Sequence, residues 1–311
     1  MERTGIYSWE YKMDPRGKAA GICITSVDQK EEYISVPEEI GGLPVLELGD
    51  YALENCAVRE IRFPSSLERI GRYAFYNCEK LEKLLLYDDL KDVGTGAFTG
   101  VHRVHSICLY QQREDAAQTV LQELLSDFSE TIQVTIQFPD REVRLLFPEY
   151  YEQGIENTPA RIIVNQFFGT GMKYRNCFVN RRLQMEEYDQ LFPLAAAGER
   201  RELVCELALL RLMYPWRLQS RARQNYMSWI REQAEQILPV LIREKRLEEI
   251  RLILEQAELP EQVREEAALL CAKEGFAAAV SLFMMHRDRS SQGEEEAGQC
   301  MIRSSFDLDE I

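Results

Sequence analysis

Three residues near the middle of the chain have side chains that bind zinc. His102, His105 and Cys108 follow one another at a spacing of three positions, and imidazole and thiolate groups are common zinc ligands. The apolar residues between them favour a strand over 101–110, in which successive side chains point to opposite faces. His105 would then face away from the other two, so we expect no metal site here.

Other patterns of catalytic chemistry are absent from the sequence. It has no G-x-x-x-x-G-K-[ST] phosphate loop, no G-x-S-x-G nucleophile motif and no Cys-x-x-Cys pair. The adjacent carboxylates Asp88–Asp89 and Glu186–Glu187 are expected on solvated surfaces. We therefore expect a protein that is not an enzyme, with no catalytic residue, cofactor or metal. An enzymatic site around Tyr174, Arg175 and Asn176 is a lesser alternative.

A repeat of about two dozen residues organises the first third of the chain. The segment Gly49–Cys56 matches Gly71–Cys78, and Gly94–Gly100 is a weaker third copy. Each copy places a small alanine and an apolar residue at a constant distance after its first glycine. Such a register predicts one structural unit stacked on the next, and stacked solenoids usually bind partners.

The residues of the repeat have predicted places in this stack. Leu53, Phe75 and Phe98 would form a buried apolar spine. Asn55 and Asn77 would end each turn, because asparagine tolerates left-handed backbone. The in-register cysteines are expected to be buried as small apolar residues, and short strands are expected ahead of each copy. These cysteines are Cys56 and Cys78, and the strands are at 34–37, 61–64 and 84–87.

The segment 61–78 has the pattern I-x-x-P-x-x-L-x-x-I-G-x-x-A-F-x-x-C. This pattern resembles the leucine-rich repeats of BspA-like bacterial proteins. Tyr7–Val27, with a turn at Asp14–Gly17, resembles the β-hairpin that opens such arrays, and Ile40–Val45 resembles their first-coil insertion. Leu53 departs from the pattern, since phenylalanine would stand there. The resemblance implies a leucine-rich-repeat domain over 1–110 that binds other proteins.

A mixed α/β junction is expected over 111–183. The pattern predicts a helix at 113–128 and a hairpin whose strands lie at 132–138 and 143–147. A strand is predicted at 161–164. The aromatic residues of this region are expected to fill a core that joins the two halves; they are Phe167, Phe168, Tyr174, Phe178 and Tyr188.

Helical periodicity governs 184–287. Helices are predicted around 203–213, at 220–238, 239–245, 247–256, 261–273 and 275–286, with breaks at Pro215 and Pro239. This half resembles degenerate ankyrin-type helical hairpins, although no T-P-L-H signature is present. The predicted fold class is α+β: a short leucine-rich-repeat solenoid, a mixed β/α segment and a C-terminal antiparallel α-helical array.

Composition limits the partners and the compartment. The chain has 311 residues and a net charge of -15, which disfavours nucleic acid and anionic membranes as partners. We find no apolar run long enough to span a membrane and no apolar signal core at the N-terminus. Together with the cysteine positions, this favours the reducing cytoplasm.

The sequence therefore predicts a non-catalytic protein-interaction or scaffold module that binds a protein through the strand-lined face of the solenoid. The alternative is an accessory or regulatory subunit that docks onto an enzyme, such as an ATPase, through the helical half and the acidic tail 288–311. That tail is either a docking peptide or a frayed terminus. The candidate partner-binding residues are Arg59, Glu60, Arg62, Lys83 and Tyr87 on the solenoid and Phe306, Leu308 and Ile311 in the tail.

Overall fold

The computed structural model describes residues 2–4, 7–13, 21–28, 31–112, 120–157 and 162–286. The predicted turn at Asp14–Gly17 and the candidate tail residues Phe306, Leu308 and Ile311 lie outside these ranges. The chain divides into two compact units, residues 1–218 and 219–311. Each unit is described by itself.

The first unit opens with an antiparallel hairpin that leads into a parallel sheet. The hairpin strands β2 and β3 confirm the predicted opening hairpin, and β3 then pairs in parallel with β6. The sheet order is β1-β2-β3-β6-β8-β10, with β5 paired to β6. The strands are β1 (Glu2–Thr4), β2 (Tyr7–Met13), β3 (Ile22–Asp28), β5 (Glu39–Ile40), β6 (Leu43–Leu48), β8 (Arg69–Ile70) and β10 (Asp92–Val93).

A second sheet runs along another side of the solenoid in the order β13-β12-β11-β9-β7-β4. Its strands β4, β7 and β9 confirm the three short strands predicted from the repeat. The sheet continues past the predicted solenoid boundary at residue 110, because the hairpin β12–β13 joins it through a parallel pairing of β12 with β11. The strands are β4 (Tyr33–Ser35), β7 (Glu60–Arg62), β9 (Lys83–Tyr87), β11 (Ser106–Tyr110), β12 (Ile132–Gln137) and β13 (Glu142–Phe147).

The predicted aromatic spine is confirmed. Leu53 and Phe75 are fully buried, and the rings of Phe75 and Phe98 stack with centroids 5.0 Å apart and planes 7° from parallel. The spine extends beyond the repeat copies, since Phe98 also contacts Phe128 at 5.1 Å between centroids. Phe128 lies two residues after the helix α1 (Leu121–Ser126), which falls within the predicted helix at 113–128; residues 113–119 of that prediction lie outside the described ranges.

Each turn of the solenoid needs left-handed backbone at two places. Asn55 and Asn77 have φ of 56° and 57°, as predicted, and Gly100 takes the same place in the third copy with φ of 80°. The other place is Tyr51, Tyr73 and then Gly96. The third copy is therefore weak in sequence but suited to the backbone, because glycine adopts positive φ without steric cost.

Of the two in-register cysteines, Cys78 is buried, whereas Cys56 is half-buried rather than fully buried as predicted. The Cys78 thiol donates a hydrogen bond to the carbonyl oxygen of Leu53 over 2.9 Å, and burial raises the pKa of Cys78 to about 12. Cys78 therefore acts as a small core residue.

The junction has a hairpin that the sequence pattern predicts only in part. Strand β15 (Ile162–Phe168) pairs antiparallel with β14 (Tyr151–Asn157). Among the described residues these two strands pair with no other strand. Phe167 and Phe168 at the end of β15 are 46% and 47% exposed, so the prediction that they fill a core is wrong. Among the described residues, no further strand extends this hairpin into a larger sheet.

The other junction aromatics are buried as predicted. Tyr174 and Tyr188 are fully buried and contact each other edge to face, and Phe178 is 8% exposed. Here the chain forms α2 (Gly171–Arg175), the strand pair β16 (Phe178–Val179) and β17 (Arg182–Leu183), then α3 (Met185–Gln190), α4 (Phe192–Gly198) and α5 (Arg201–Met213).

The helices α3 to α5 pack within the first unit. The Tyr188 hydroxyl donates to the carbonyl oxygen of Leu146 over 2.6 Å, and the buried carboxylate of Asp189 accepts two hydrogen bonds from Arg211 at 2.7 and 2.9 Å. The sequence pattern assigns 184–218 to the helical half, whereas these contacts connect α3 and α5 to each other and to β13.

The second unit consists of the helices α6 (Ser220–Arg243), α7 (Leu247–Gln256), α8 (Glu261–Lys273) and α9 at 277–286. The predicted bounds of α7 and α8 are confirmed. The predicted break at Pro239 is wrong, because α6 continues through it. Proline removes one helical hydrogen bond, but the buried residues Leu238, Leu241 and Ile242 anchor α6 on both sides of it. None of the described helices is long and apolar enough to cross a membrane.

Candidate interaction surface

The outer face of the second sheet, hereafter the sheet face, carries the predicted partner-binding residues of the solenoid. Because side chains alternate along a strand, the intervening residues, such as Ile61 and Leu84, are buried. In-register pairing places the outward residues in rows across the strands. The rows are Tyr33, Glu60, Lys83, Ser106 and Gln133; Ser35, Arg62, Leu85, Cys108 and Thr135; and Tyr87, Tyr110 and Gln137.

Three of the five predicted residues form ion pairs between neighbouring coils. Arg59 lies at the start of β7, where its guanidinium contacts Glu32 at 3.2 Å and Glu82 at 2.6 Å. The ammonium group of Lys83 lies 3.4 Å from the carboxylate of Glu60. These charges are therefore engaged within the chain, and exposed pairs of this kind contribute little to stability.

The other two predicted residues belong to a cluster around Tyr110. The Arg62 guanidinium lies over the Tyr110 ring, 5.7 Å from its centroid, and Tyr110 stacks on Tyr87 with centroids 5.0 Å apart. Leu85 lies beside Arg62 in the register of the sheet. Within the described ranges, no carboxylate lies within ion-pair distance of exposed Arg62. We call Arg62, Leu85, Tyr87 and Tyr110 the arginine–tyrosine cluster.

Burial keeps Tyr110 and Cys108 uncharged near neutral pH. Burial, and next the Cys108 thiol, raise the pKa of Tyr110, and burial raises the pKa of Cys108. The Tyr110 ring therefore presents a neutral π-face and phenol group beside one cation. This combination suits a carboxylate or a backbone carbonyl accompanied by an apolar group.

The sequence reasoning missed Tyr110, Leu85 and Cys108 as members of the sheet face. Their signal is the repeat spacing itself, since Tyr110 pairs with Tyr87, and Cys108 with Leu85, one coil apart. Because the third copy of the repeat is weak, the sequence pattern does not place the strand that follows it, β11, in the same sheet as Tyr87.

The three residues considered for zinc do not converge. Strand β11 begins at Ser106, so both histidines precede it and the strand is shorter than predicted. His102 lies 3.4 Å from Glu130, His105 contacts the carbonyl oxygen of Arg103, and Cys108 lies on the sheet face. Across the part of the chain that the structure describes, no three His, Cys, Asp or Glu side chains are placed to hold a metal ion.

The residues of the enzymatic alternative have structural contacts. Arg175 is 3% exposed, and its guanidinium donates to backbone carbonyl oxygens of the α1 region, of the segment after β13 and of α2. Burial lowers the pKa of Arg175 to about 10, so it stays charged at neutral pH. The Tyr174 hydroxyl is buried without a hydrogen-bond partner in the described residues, and burial raises its pKa. Asn176 caps the end of α2.

Two solved structures are similar to parts of this chain. One is a leucine-rich cell surface protein from Faecalibacterium prausnitzii A2-165, with 15% identity, a TM-score of 0.28 and 44% of each chain covered. The other is a leucine-rich repeat protein from T. pallidum, with 25% identity, a TM-score of 0.19 and coverage of 32% of this chain and 68% of that chain. The chain thus spans less than half of the first relative. No curated protein matches it.

A family model gives the boundaries of the repeat region. The model described as the BspA type leucine-rich repeat region matches residues 34–138 with six copies. The match begins at β4 and ends just after β12, so it includes most of the second sheet and leaves out the helical unit, for which the ankyrin-type resemblance stays a prediction. Residues 34–138 are a BspA-type leucine-rich repeat region.

Proposed function

We propose that this chain is a non-catalytic protein-interaction or scaffold module that binds a protein partner through the sheet face. Repeats of this type are generally protein-interaction modules and typically non-catalytic. The observation that supports this face is the arginine–tyrosine cluster. Arg62 is exposed and unpaired within the described residues, whereas Arg59 and Lys83 have carboxylate partners.

The chemistry of the cluster supports a protein as the ligand. Arginine and tyrosine are enriched among the residues that contribute most binding energy in protein interfaces. Leu85 is 8% exposed and adds an apolar floor beside Arg62. The net charge of -15 opposes nucleic acid as a ligand.

Recovery of partners from the native host tests this proposal. We expect Arg62→Glu and Tyr110→Ala each to weaken partner binding about thirtyfold, which corresponds to the roughly 2 kcal/mol of a hot-spot residue. Arg141→Glu is the matched control, because Arg141 lies in the β12–β13 turn, outside the cluster. Quantitative mass spectrometry of affinity-purified complexes measures recovery. Unchanged recovery with both cluster variants would reject the sheet face.

The runner-up function is an accessory or regulatory subunit that docks onto an enzyme through the helical half and the acidic tail. An apolar groove in the helical unit, described below, supports this second candidate function. Deleting Gln292–Ile311 separates the two: binding survives if the sheet face carries it and collapses if the tail does. Phe306, Leu308 and Ile311 stay the candidate tail contacts.

We also propose that the protein is cytoplasmic. Every cysteine among the described residues is a free thiol, which supports a reducing compartment.

A further inference from the structure

An apolar groove lies between α8 and α9, the last described helices of the helical unit, and we call it the terminal groove. Its volume is about 440 Å³. Its lining includes Ala268 and Leu269 of α8 and Phe283 and Met284 of α9. Leu269 is 72% exposed and Met284 is 60% exposed. Large apolar side chains exposed together mark interaction sites more often than chance.

The shape of the terminal groove fits a helix. Val263, Ala267 and Cys271 are buried on one face of α8, whereas Ala268, Leu269 and Ala272 lie on the face that lines the groove. Helix α8 is therefore apolar on two sides. The outer face of a terminal unit in a stacked array is ordinarily polar, whereas the face that α8 and α9, the last described helices, present to the groove is largely apolar. The small side chains of Ala268 and Ala272 leave room for a helix backbone to approach.

The array itself shows how such a face is covered. Ala234 and Leu238 of α6 line one cleft together with Val263 and Ala267 of α8, so a helix already lies on the preceding face of the array. A helix laid along α8 would have about 20 Å of contact length, given its thirteen residues. Recognition of an amphipathic helix by an apolar groove is a recurring mode of binding.

Charge distinguishes between the possible occupants. Glu261 and Glu265 line the groove, with Arg264 between them. A second copy of this chain would bring like charges together at this rim. The chain's own tail is also acidic, since its carboxylates Asp288, Glu294, Glu295, Glu296, Asp307, Asp309 and Glu310 outnumber the arginines Arg289 and Arg303.

We propose that the terminal groove binds an amphipathic helix of a partner protein, in which lysines or arginines flank an apolar stripe. The apolar stripe packs on Leu269, Phe283 and Met284, and the basic flanks lie against Glu261 and Glu265. This site is separate from the sheet face in residues and in ligand chemistry, so loss of one does not imply loss of the other.

The test uses a designed 18-residue helix of Leu, Ala and Lys, with Leu at positions i, i+3, i+4 and i+7 and Lys on both sides. Binding to the full chain is followed by fluorescence anisotropy. We expect Leu269→Glu and Met284→Glu each to weaken binding at least about tenfold, because each removes buried apolar contact. These substitutions add carboxylates, which strengthen non-specific attraction to the lysines, so weaker binding reports the apolar contact.

Met285→Glu is the matched control. Met285 is adjacent to Met284 and 58% exposed, but it does not line the groove. We expect its affinity to stay within about twofold of the unchanged protein, and Arg62→Glu to have no effect on the peptide. Circular dichroism of each variant checks that the helices are retained.

Any of five outcomes overturns the proposal. Absence of binding by the lysine peptide, or equal loss with Met285→Glu, removes the groove as its site. Equal binding of a peptide with Glu in place of Lys removes the charge argument. Tighter binding of a synthetic 288–311 peptide assigns the groove to the chain's own tail. A dimer that Leu269→Glu dissociates assigns it to a second copy.

Discussion

The solenoid and the helical unit bury apolar surface in different ways. In the solenoid, the same positions contact each other from coil to coil, as the stacked Phe75 and Phe98 show. In the helical unit, each helix buries a stripe, and α8 also has Leu269 on its exposed side. Each coil of the solenoid thus covers the apolar surface of the next coil. Outward residues that have no partner in a neighbouring coil then indicate where the solenoid binds. In the helical unit, the described residues leave the groove between α8 and α9 uncovered.

The ion pairs of the solenoid and of the helical unit also differ. In the solenoid, ion pairs connect residues one coil apart, so the repeat period sets charge partners as well as core partners; these are Glu32–Arg59–Glu82, Glu60–Lys83, Glu68–Lys91, Glu47–Arg69–Asp92 and Asp50–Arg72. In the helical unit, Glu248–Arg251 lies within one helix, and Arg231 of α6 pairs with Glu258 after α7, without a repeating period. Arg62 is informative because it departs from the pattern of the solenoid.

The largest expected effect is on the spine. Phe75→Ala should lower the free energy of unfolding of the first unit by roughly 3–5 kcal/mol, since it opens a cavity between coils. Met284→Ala should cost the second unit less than about 1 kcal/mol, because Met284 borders the groove and is 60% exposed. Urea unfolding followed by circular dichroism measures both. Equal losses would contradict the contrast between a closed spine and an open end.

The next effect compares two glycines: Gly94, where neighbouring coils approach closely, and Gly198, at an open helix end. A Cβ atom on Gly94 would lie 2.5 Å from the backbone nitrogen of Arg72, whereas Gly198 at the end of α4 has no atom within 4 Å of that position. We expect Gly94→Ala to destabilise by about 1–3 kcal/mol or more. Gly198→Ala should be neutral or stabilise by up to about 1 kcal/mol. Thermal unfolding compares them, and similar shifts in both would disprove the close approach.

The smallest effect concerns one solenoid ion pair and its pH dependence. The hydrogen bonds and charge of Arg72 lower the pKa of Asp50 below its ordinary value of 3.8. A carboxyl group with a lowered folded-state pKa contributes stability above the unfolded pKa and loses it as pH falls through the lowered value. Asp50→Asn should therefore cost less than about 1 kcal/mol at pH 7, because the pair is partly exposed.

The pH series provides the control for this pair. The difference between Asp50→Asn and the unchanged protein should shrink as pH falls below about 4, when measured by urea unfolding at each pH. A difference that stays constant down to pH 2 would show that Asp50 acts through its shape and backbone contacts rather than through its charge.

Much of the solenoid could be predicted, but the candidate site only in part. The spine and the turn asparagines follow from spacing, because any residue at a repeated position meets the same environment. The sheet face could be located for the same reason, yet its members could not be ranked. Arg59 and Arg62 look alike in the sequence, and only the positions of Glu32 and Glu82 beside Arg59 distinguish them.

The junction and the helical end were harder to predict. Phe167 and Phe168 read as core residues because aromatics are usually buried, and their exposure follows from a hairpin that joins neither of the two solenoid sheets. Pro239 reads as a helix end, but packing on both sides of it holds α6 together. The local preferences of these residue types therefore determined neither the exposure of Phe167 and Phe168 nor the path of α6 at Pro239.

By itself, the sequence determined the period of the solenoid, its spine and the bounds of helices α7 and α8, because these depend on spacing and on the steric limits of single residues. The tertiary structure alone decided that Arg62 lies over Tyr110 without a carboxylate and that Leu269 and Met284 border one groove. Such pairings depend on which side chains lie next to each other after coils stack and helices fold back, and no spacing within one segment contains that information.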